Sequence, residues 1–257
     1  MTDIVDAEEK AEEERISIEA DKRFKEEEGR TEKEKDPAEI EREEKFKSWV
    51  PKTSLGKDVL AGKIKSLSEV FRDGRKIMEP EIFDFLVRAP IIECLFIGQA
   101  KGKFGGGKRR AFRQTQKKTK EGNILTFGVM AVVGDGEGHV GIGYGRASET
   151  LPAREKAIRR AKLNLIEVPR GCASYDCSCS ESHSIPLTVY GKCSSVRVKL
   201  IPAPQGTGLV IGDEMKKVLR AAGIRDIYSK CYGKVRTTFN TAKAVMAALS
   251  KVGGARI

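Results

Sequence analysis

The chain has 257 residues, 39 % hydrophobic and 33 % charged, which suits two modest domains better than one large core. Its net charge of +11 hides a split: residues 1–47 hold 19 acidic and 11 basic residues, a net of −8, and the remainder carries +19. A strongly basic body with an acidic extension is the footprint of a protein that meets a polyanion. Nucleic acid fits better than an anionic membrane, because no basic amphipathic helix carries bulky apolar anchors. No apolar run approaches the ~20 residues of a membrane span. The acidic start is not a signal peptide. Six cysteines, four of them between positions 172 and 193, do not resemble a secreted disulfide framework, so a reducing cytoplasm is expected.

Residues 1–47 are dense in Glu and Lys with few apolar positions, and read as a solvated extension, disordered or transiently helical. Composition changes in a lead-in over 48–90. WVPKTSLG begins at Trp49, and after Glu79-Pro80 the residues Ile82, Phe83, Phe85 and Leu86 form a short helical apolar face. From Ile91 to Phe96 runs a β-prone segment. A glycine-rich basic segment then carries Lys101, Lys103, Lys108, Arg109, Arg110 and Arg113, continuing through Gln114 and Thr115 to Lys117, Lys118 and Lys120, with no acid from 101 to 120. Glycine lets backbone approach a phosphate, and arginine offers paired donors and a stacking plane. A loop serving solubility alone has no need to be single-signed, so this segment is expected to contact RNA.

The stretch Thr126 to Ile166 is the most informative. Phe127 to Val133 is an apolar run of strand length, followed by the glycine-dense corner Gly134 to Gly138. Val140, Ile142 and Tyr144 then alternate with His139, Gly141 and Gly143, which predicts a hairpin. His139, with no partner nearby in sequence, is expected on the hairpin surface. A helix follows, with Thr150 as cap, Pro152 in its first turn, and Ala153, Ala157, Ile158, Ala161 and Leu165 on one face. Its opposite face offers Arg154, Arg159 and Arg160 to RNA, beside Lys156 and Lys162. Gly136, Gly138 and Gly141 match a dinucleotide fingerprint, but they open into a strand instead of the helix that would hold a pyrophosphate. No cofactor site is expected there.

Val168-Pro169-Arg170-Gly171 ends a domain spanning 91–170. A linker over 171–185 holds Cys172, Cys177, Cys179 and His183, a Cys3His set of the kind that suits tetrahedral zinc, with Cys193 as a spare ligand. The Cys-x-Cys step is tighter than the common zinc spacing, and chance clustering of thiols is the alternative. Residues 186–257 read as a second α+β domain. Strands are expected over Pro186–Tyr190 and Val196–Leu200, then a helix capped by Asp213 and stopped by Gly223, a strand over Ile227–Tyr232, and a helix capped by Asn240. Gly206 to Gly212 precedes a helix without the Gly-Lys-Ser/Thr of a Walker loop and reads as a tight turn.

VVGDGEGHVGIGYG (132–145) with the basic helix after it, PAPQGTGLVIGDEMKKVLRAAGI (202–224) and YSKCYG (228–233) resemble the S-five family of small-subunit ribosomal proteins, in its archaeal and eukaryotic branch. WVPKTSLG and KIKSLSEVF (63–71) add to the resemblance, which covers about residues 48–251. It implies an α+β protein in which a domain similar to double-stranded-RNA-binding domains precedes a left-handed βαβ domain. It further implies no catalytic residue, and binding to small-subunit ribosomal RNA with neighbouring ribosomal proteins on the side where the messenger enters. Contact with messenger RNA and an influence on decoding accuracy belong to the same expectation. The implied RNA-facing hairpin runs from Arg113 to Asn123. The competing readings are a free-standing double-stranded-RNA regulator and an RNA-processing enzyme.

Overall fold

The computed structural model describes Phe46 and residues 49–100, 109–179 and 181–254. The acidic extension and the basic positions Lys101, Lys103 and Lys108 therefore lie outside the described residues, apart from Phe46. The lead-in folds into three short helices: α1 (Ser54–Leu60), α2 (Leu67–Arg72) and α3 (Pro80–Leu86). Thr53 and Ser66 cap the first two, each accepting from a backbone N–H three residues on. The Glu79 carboxylate accepts from the N–H groups of Lys52 and Thr53, tying the start of α1 to the start of α3.

Strands β1 (Ile91–Cys94), β2 (Arg113–Thr119), β3 (Gly122–Gly134), β4 (His139–Ala147) and β5 (Leu165–Glu167) form one antiparallel sheet. β1 and β2 pair with different ends of the long β3, and β4 lies on its other side. Helix α4 (Thr150–Leu163) covers one face. Its buried Ala153, Ala157 and Ala161 meet Gly145, Gly143 and Gly141 of β4. A Cβ built on Gly143 would stand 2.1 Å from the Ala157 carbonyl oxygen and 2.3 Å from the Ala161 nitrogen, so the helix backbone lies directly on the strand. The glycines of HVGIGYG thus face the helix, while Val140, Ile142 and Tyr144 face the second domain.

That second domain has β6 (Val189–Cys193), β7 (Val196–Pro202), β8 (Leu209–Val210) and β9 (Ile227–Tyr232), in the order β6-β7-β9-β8. β8 and β9 run parallel, joined through α5 (Asp213–Ala221), and the segment read as a tight turn therefore contains a short strand. The last helix, α6 (Thr238–Gly254), buries Ala244 and Ala248 against Gly191 of β6, repeating the glycine-under-alanine packing of the first domain.

The two domains share one apolar cluster. Met130, Val132 and Val140 pack with Val198, Leu200, Met215, Val218 and Leu249. At the junction, Gly223 (φ +74°) ends α5, donating to Arg220 O while Ile224 N donates to Leu219 O. A Cβ on Gly223 would reach within 2.0 Å of Gly136 O, and Gly136 N donates to Ala221 O. The GDGEG corner is thus a docking surface for the end of α5. Phe96 N donates to Glu214 Oε2, and Lys217 Nζ donates to Cys94 O while lying 3.7 Å from the Phe96 ring centre.

Several expectations shift here. The helix caps move: α4 begins at Thr150 itself, α5 at Asp213, and Asn240 sits inside α6, so none of the three is the N-cap. Leu165 opens β5 instead of continuing α4, because the helix ends at Leu163 with Asn164 as its C-cap. The strand expected from Pro186 starts at Val189.

His139 is buried, not on the hairpin surface. Its Nδ1 lies 2.5 Å from Asp135 Oδ2, and its ring stacks on Phe71 of α2 at 5.4 Å between centroids. Its bonding partner Asp135 stands only four residues earlier, so a partner was near in sequence, while the ring that covers it comes from the lead-in, far away in sequence. Burial works against the Asp135 charge, but bonds from the His139 side chain and from the Glu137 and His139 N–H groups outweigh it and hold the carboxyl below 3.8. A depressed carboxylate stabilises the fold above its unfolded pKa, and that contribution is lost as pH falls through the lower native value. Asp135→Asn is therefore expected to cost about 1–2 kcal/mol at neutral pH. Urea titrations should show the gap from wild type constant down to about pH 4 and closing below it.

Candidate nucleic-acid interface and metal cluster

The β2–β3 hairpin projects past the sheet. β4 pairs with β3 only from Phe127 onward, so Gly122–Thr126 and their partners Thr115–Thr119 have no further strand beside them. Both faces of this overhang are wet, which explains why β2 shows no apolar alternation: its strand form comes from pairing with β3. Arg113, Gln114, Lys117, Lys118 and the turn residue Lys120 are all exposed. Arg113, Thr115 and Lys117 share one face, and Gln114 and Lys118 the other, so the hairpin presents cations on both sides. Arg146 of β4 reaches across to Thr126 Oγ1 at 2.8 Å and Thr115 Oγ1 at 3.5 Å, bracing the hairpin base. Thr115 is thereby occupied within the protein.

The other expected RNA contacts divide in the same way. Arg110, Arg154 and Arg159 are exposed. Arg160 is exposed but donates Nη1 to Tyr144 O at 2.7 Å. Arg109 donates Nη1 to Thr238 Oγ1 at 2.8 Å and to Arg236 O at 3.2 Å, so much of its bonding capacity joins the two domains. Lys162 pairs with Asp84.

Sequence reasoning missed two basic surfaces. A cleft beside the hairpin base is lined by Arg110, Arg113, Lys234 and Arg236, and the last two lie in the β9–α6 connection, more than 100 residues from the first two. On the exposed face of the second sheet, Tyr190, Lys199 and Lys230 form one cross-strand row, and Lys192, Arg197 and Tyr232 the next. Like charges directly opposite destabilise a sheet, and the three strands contain no acidic residue. The signal available in the sequence was the alternation of Lys, Arg and Tyr in YGK, VRVK and YSKCY.

The linker brings its four candidate ligands together. The ligand atoms of Cys172, Cys177, Cys179 and His183 all lie within 4.8 Å of one another. Cys193, at the end of β6, is not part of this group. Cys177 Sγ is 3.0 Å from Cys179 Sγ and 3.5 Å from His183 Nε2. The Cys179 thiol donating to Cys177, helped by the backbone N–H groups of Gln205 and Cys179, lowers Cys177 to about 6. Retaining the shared proton pushes Cys179 up to about 12. Three sulfurs and one imidazole nitrogen form a borderline-soft donor set.

Two family models match this chain: ribosomal protein S5, N-terminal domain, over residues 110–169, and ribosomal protein S5, C-terminal domain, over residues 191–256. The chain is 47 % identical to the small ribosomal subunit protein uS5 of Nanoarchaeum equitans over 212 residues, 82 % of this chain and 91 % of that one. The chain belongs to the ribosomal protein S5 family. It is 47 % identical to the uS5 of Staphylothermus marinus over 206 residues (80 % and 89 % of the two chains), and 44 % identical to that of Methanospirillum hungatei over 209 residues (81 % and 95 %). Membership makes it a ribosomal protein of the small subunit, and not an enzyme. The two matched domains are the two α+β layers described above, and the Cys/His loop lies between the matched stretches. Among the described residues, no helix is long and apolar enough to cross a membrane.

Proposed function

We propose that this S5-family protein lies against small-subunit ribosomal RNA of the cytoplasmic ribosome, with the β2–β3 hairpin as its principal reach into the RNA. The observation that carries the reading is the unsupported overhang, which holds exposed Lys117, Lys118 and Lys120 away from the body. A hairpin overhang whose apolar residues Ile124 and Leu125 are only half-buried gains little stability by itself. Its form makes sense if an external polyanion supplies the missing partner. The exposed Arg154 and Arg159 of α4 and the Lys/Tyr face of the second sheet add further phosphate and stacking contacts. The resemblance noted above further suggests a position on the side where the messenger enters, beside other ribosomal proteins, with an influence on decoding accuracy.

Sedimentation of a cell lysate at moderate salt tests the assignment. The chain is expected to travel with small-subunit particles, and a predominantly free population in growing cells overturns it. Misreading of a reporter codon tests the decoding role. Replacement of Lys117, Lys118 and Lys120 by alanine is expected to change the misreading rate in particles that still contain the protein.

A further inference from the structure

The loop from Cys172 to His183 is built like a closed metal knuckle. At its base, Gly171 and Ser184 exchange backbone hydrogen bonds of 2.9 and 3.0 Å. Within it, the ligand atoms of three cysteines and one histidine converge although all six cysteines of the chain are free thiols. The loop has no core of its own: Tyr175 is fully exposed, and the remaining residues are small or polar. Convergence of three thiols therefore has no apolar explanation.

His183 supplies an independent observation. Its side chain is 1 % exposed, and its Nε2 is aimed at the sulfurs. Its Nδ1 is fully buried and lies 2.8 Å from Asp226 Oδ2, yet without the alignment of a hydrogen bond. A buried imidazole with a carboxylate behind Nδ1 and thiols before Nε2 is the arrangement that orients a metal-binding histidine. The same Asp226 accepts from Gly208 N through Oδ1, at 2.7 Å. His183 O accepts from the N–H groups of Arg225 and Asp226, and Ser184 Oγ donates to Asp226 O. The N–H of Ala203 donates to Ser184 Oγ at 3.4 Å. These contacts lead to the 203–208 turn and to Arg225 and Asp226, just before β9.

We propose that Cys172, Cys177, Cys179 and His183 bind one zinc ion that fastens the interdomain linker to the 203–208 turn. A Cys3His set with no open position is a structural site. Three thiolates exclude magnesium and calcium, which take oxygen ligands. A bound zinc would take the three sulfurs and His183 Nε2 as its four tetrahedral ligands. Asp226 then holds the ring while Gly208 follows it, so the metal orders the turn as well as the loop.

The test uses the full chain purified without chelator. Elemental analysis is expected to find one zinc per chain. Exchange with cobalt is expected to give the visible bands of a tetrahedral ion together with thiolate-to-cobalt charge transfer. A C177S/C179S double variant should lose the metal, and Cys193→Ser should keep it. Should the double variant fail to fold, the cobalt spectrum of the wild type decides alone. Wild-type protein without bound metal, a disulfide among the three cysteines, or an octahedral cobalt spectrum overturns the proposal. Removal of zinc by a chelator is expected to raise amide exchange at Gly208 and Ile227, whose N–H groups bond to Asp226 and to Gly208. Unchanged exchange there, with the metal gone, overturns the coupling to the turn.

Discussion

Replacing Lys117, Lys118 and Lys120 together by alanine is expected to lower affinity for small-subunit ribosomal RNA by roughly tenfold per lost phosphate contact near 50 mM salt. The slope of log K against log salt should become shallower by about 1 for each contact removed. The reasoning is electrostatic. These three side chains are exposed on an overhang, with Glu121 as the one acid at its turn, so little but water competes with phosphate for them. Filter binding across a salt series measures both quantities. Removing the same charge at the exposed lead-in positions Lys52, Lys57 and Lys63 separates local contact from net charge. An equal change of slope in both variants would show that the hairpin acts through total charge alone.

Gly143→Val is expected to destabilise the protein by about 3 kcal/mol or more, enough to prevent folding of many domains of this size. Its side chain would enter the backbone of α4 between Ala157 and Ala161, and neither a carbonyl nor an amide in a helix can rotate away. The helix would have to lift off the sheet and give up the burial of Ala153, Ala157 and Ala161. Gly254→Ala is the contrasting change. A Cβ there meets nothing within 4 Å, so its effect is expected to stay within about 0.5 kcal/mol. Urea denaturation followed by circular dichroism distinguishes the two. A wild-type midpoint for the Gly143 variant would mean that helix and strand are not in contact.

The helical face of alanines in α4 and the hairpin before it were legible because periodicity and glycine corners are local properties. The gathering of Cys172, Cys177, Cys179 and His183 was legible for the same reason, since the four lie within one short loop. What failed was whatever depended on a distant neighbour. His139 was expected on the surface because Phe71, which covers it, is 68 positions away and gives no local sign. Arg109 looked like any cation of the basic segment until its bonds to Thr238 and Arg236 placed it at the domain junction. The hairpin from Arg113 was legible only through the family resemblance, because a strand exposed on both faces has no alternation to read. The three displaced caps show a finer limit. An N-cap is defined by the dihedral angles of the residue before the first turn, which a Thr, Asp or Asn nearby does not determine.

By itself, then, the amino-acid order settled the sign and location of the charge, the glycine-cornered hairpin followed by a helix with an alanine face, and the family to which the chain belongs. The tertiary structure alone decided which strand face meets α4, which cations remain free for RNA, and how Asp226 comes to stand behind His183. The physical reason is the range of each effect. Charge and periodicity are summed along the chain, whereas burial and hydrogen bonding are settled by whichever residue, however remote, arrives to displace water.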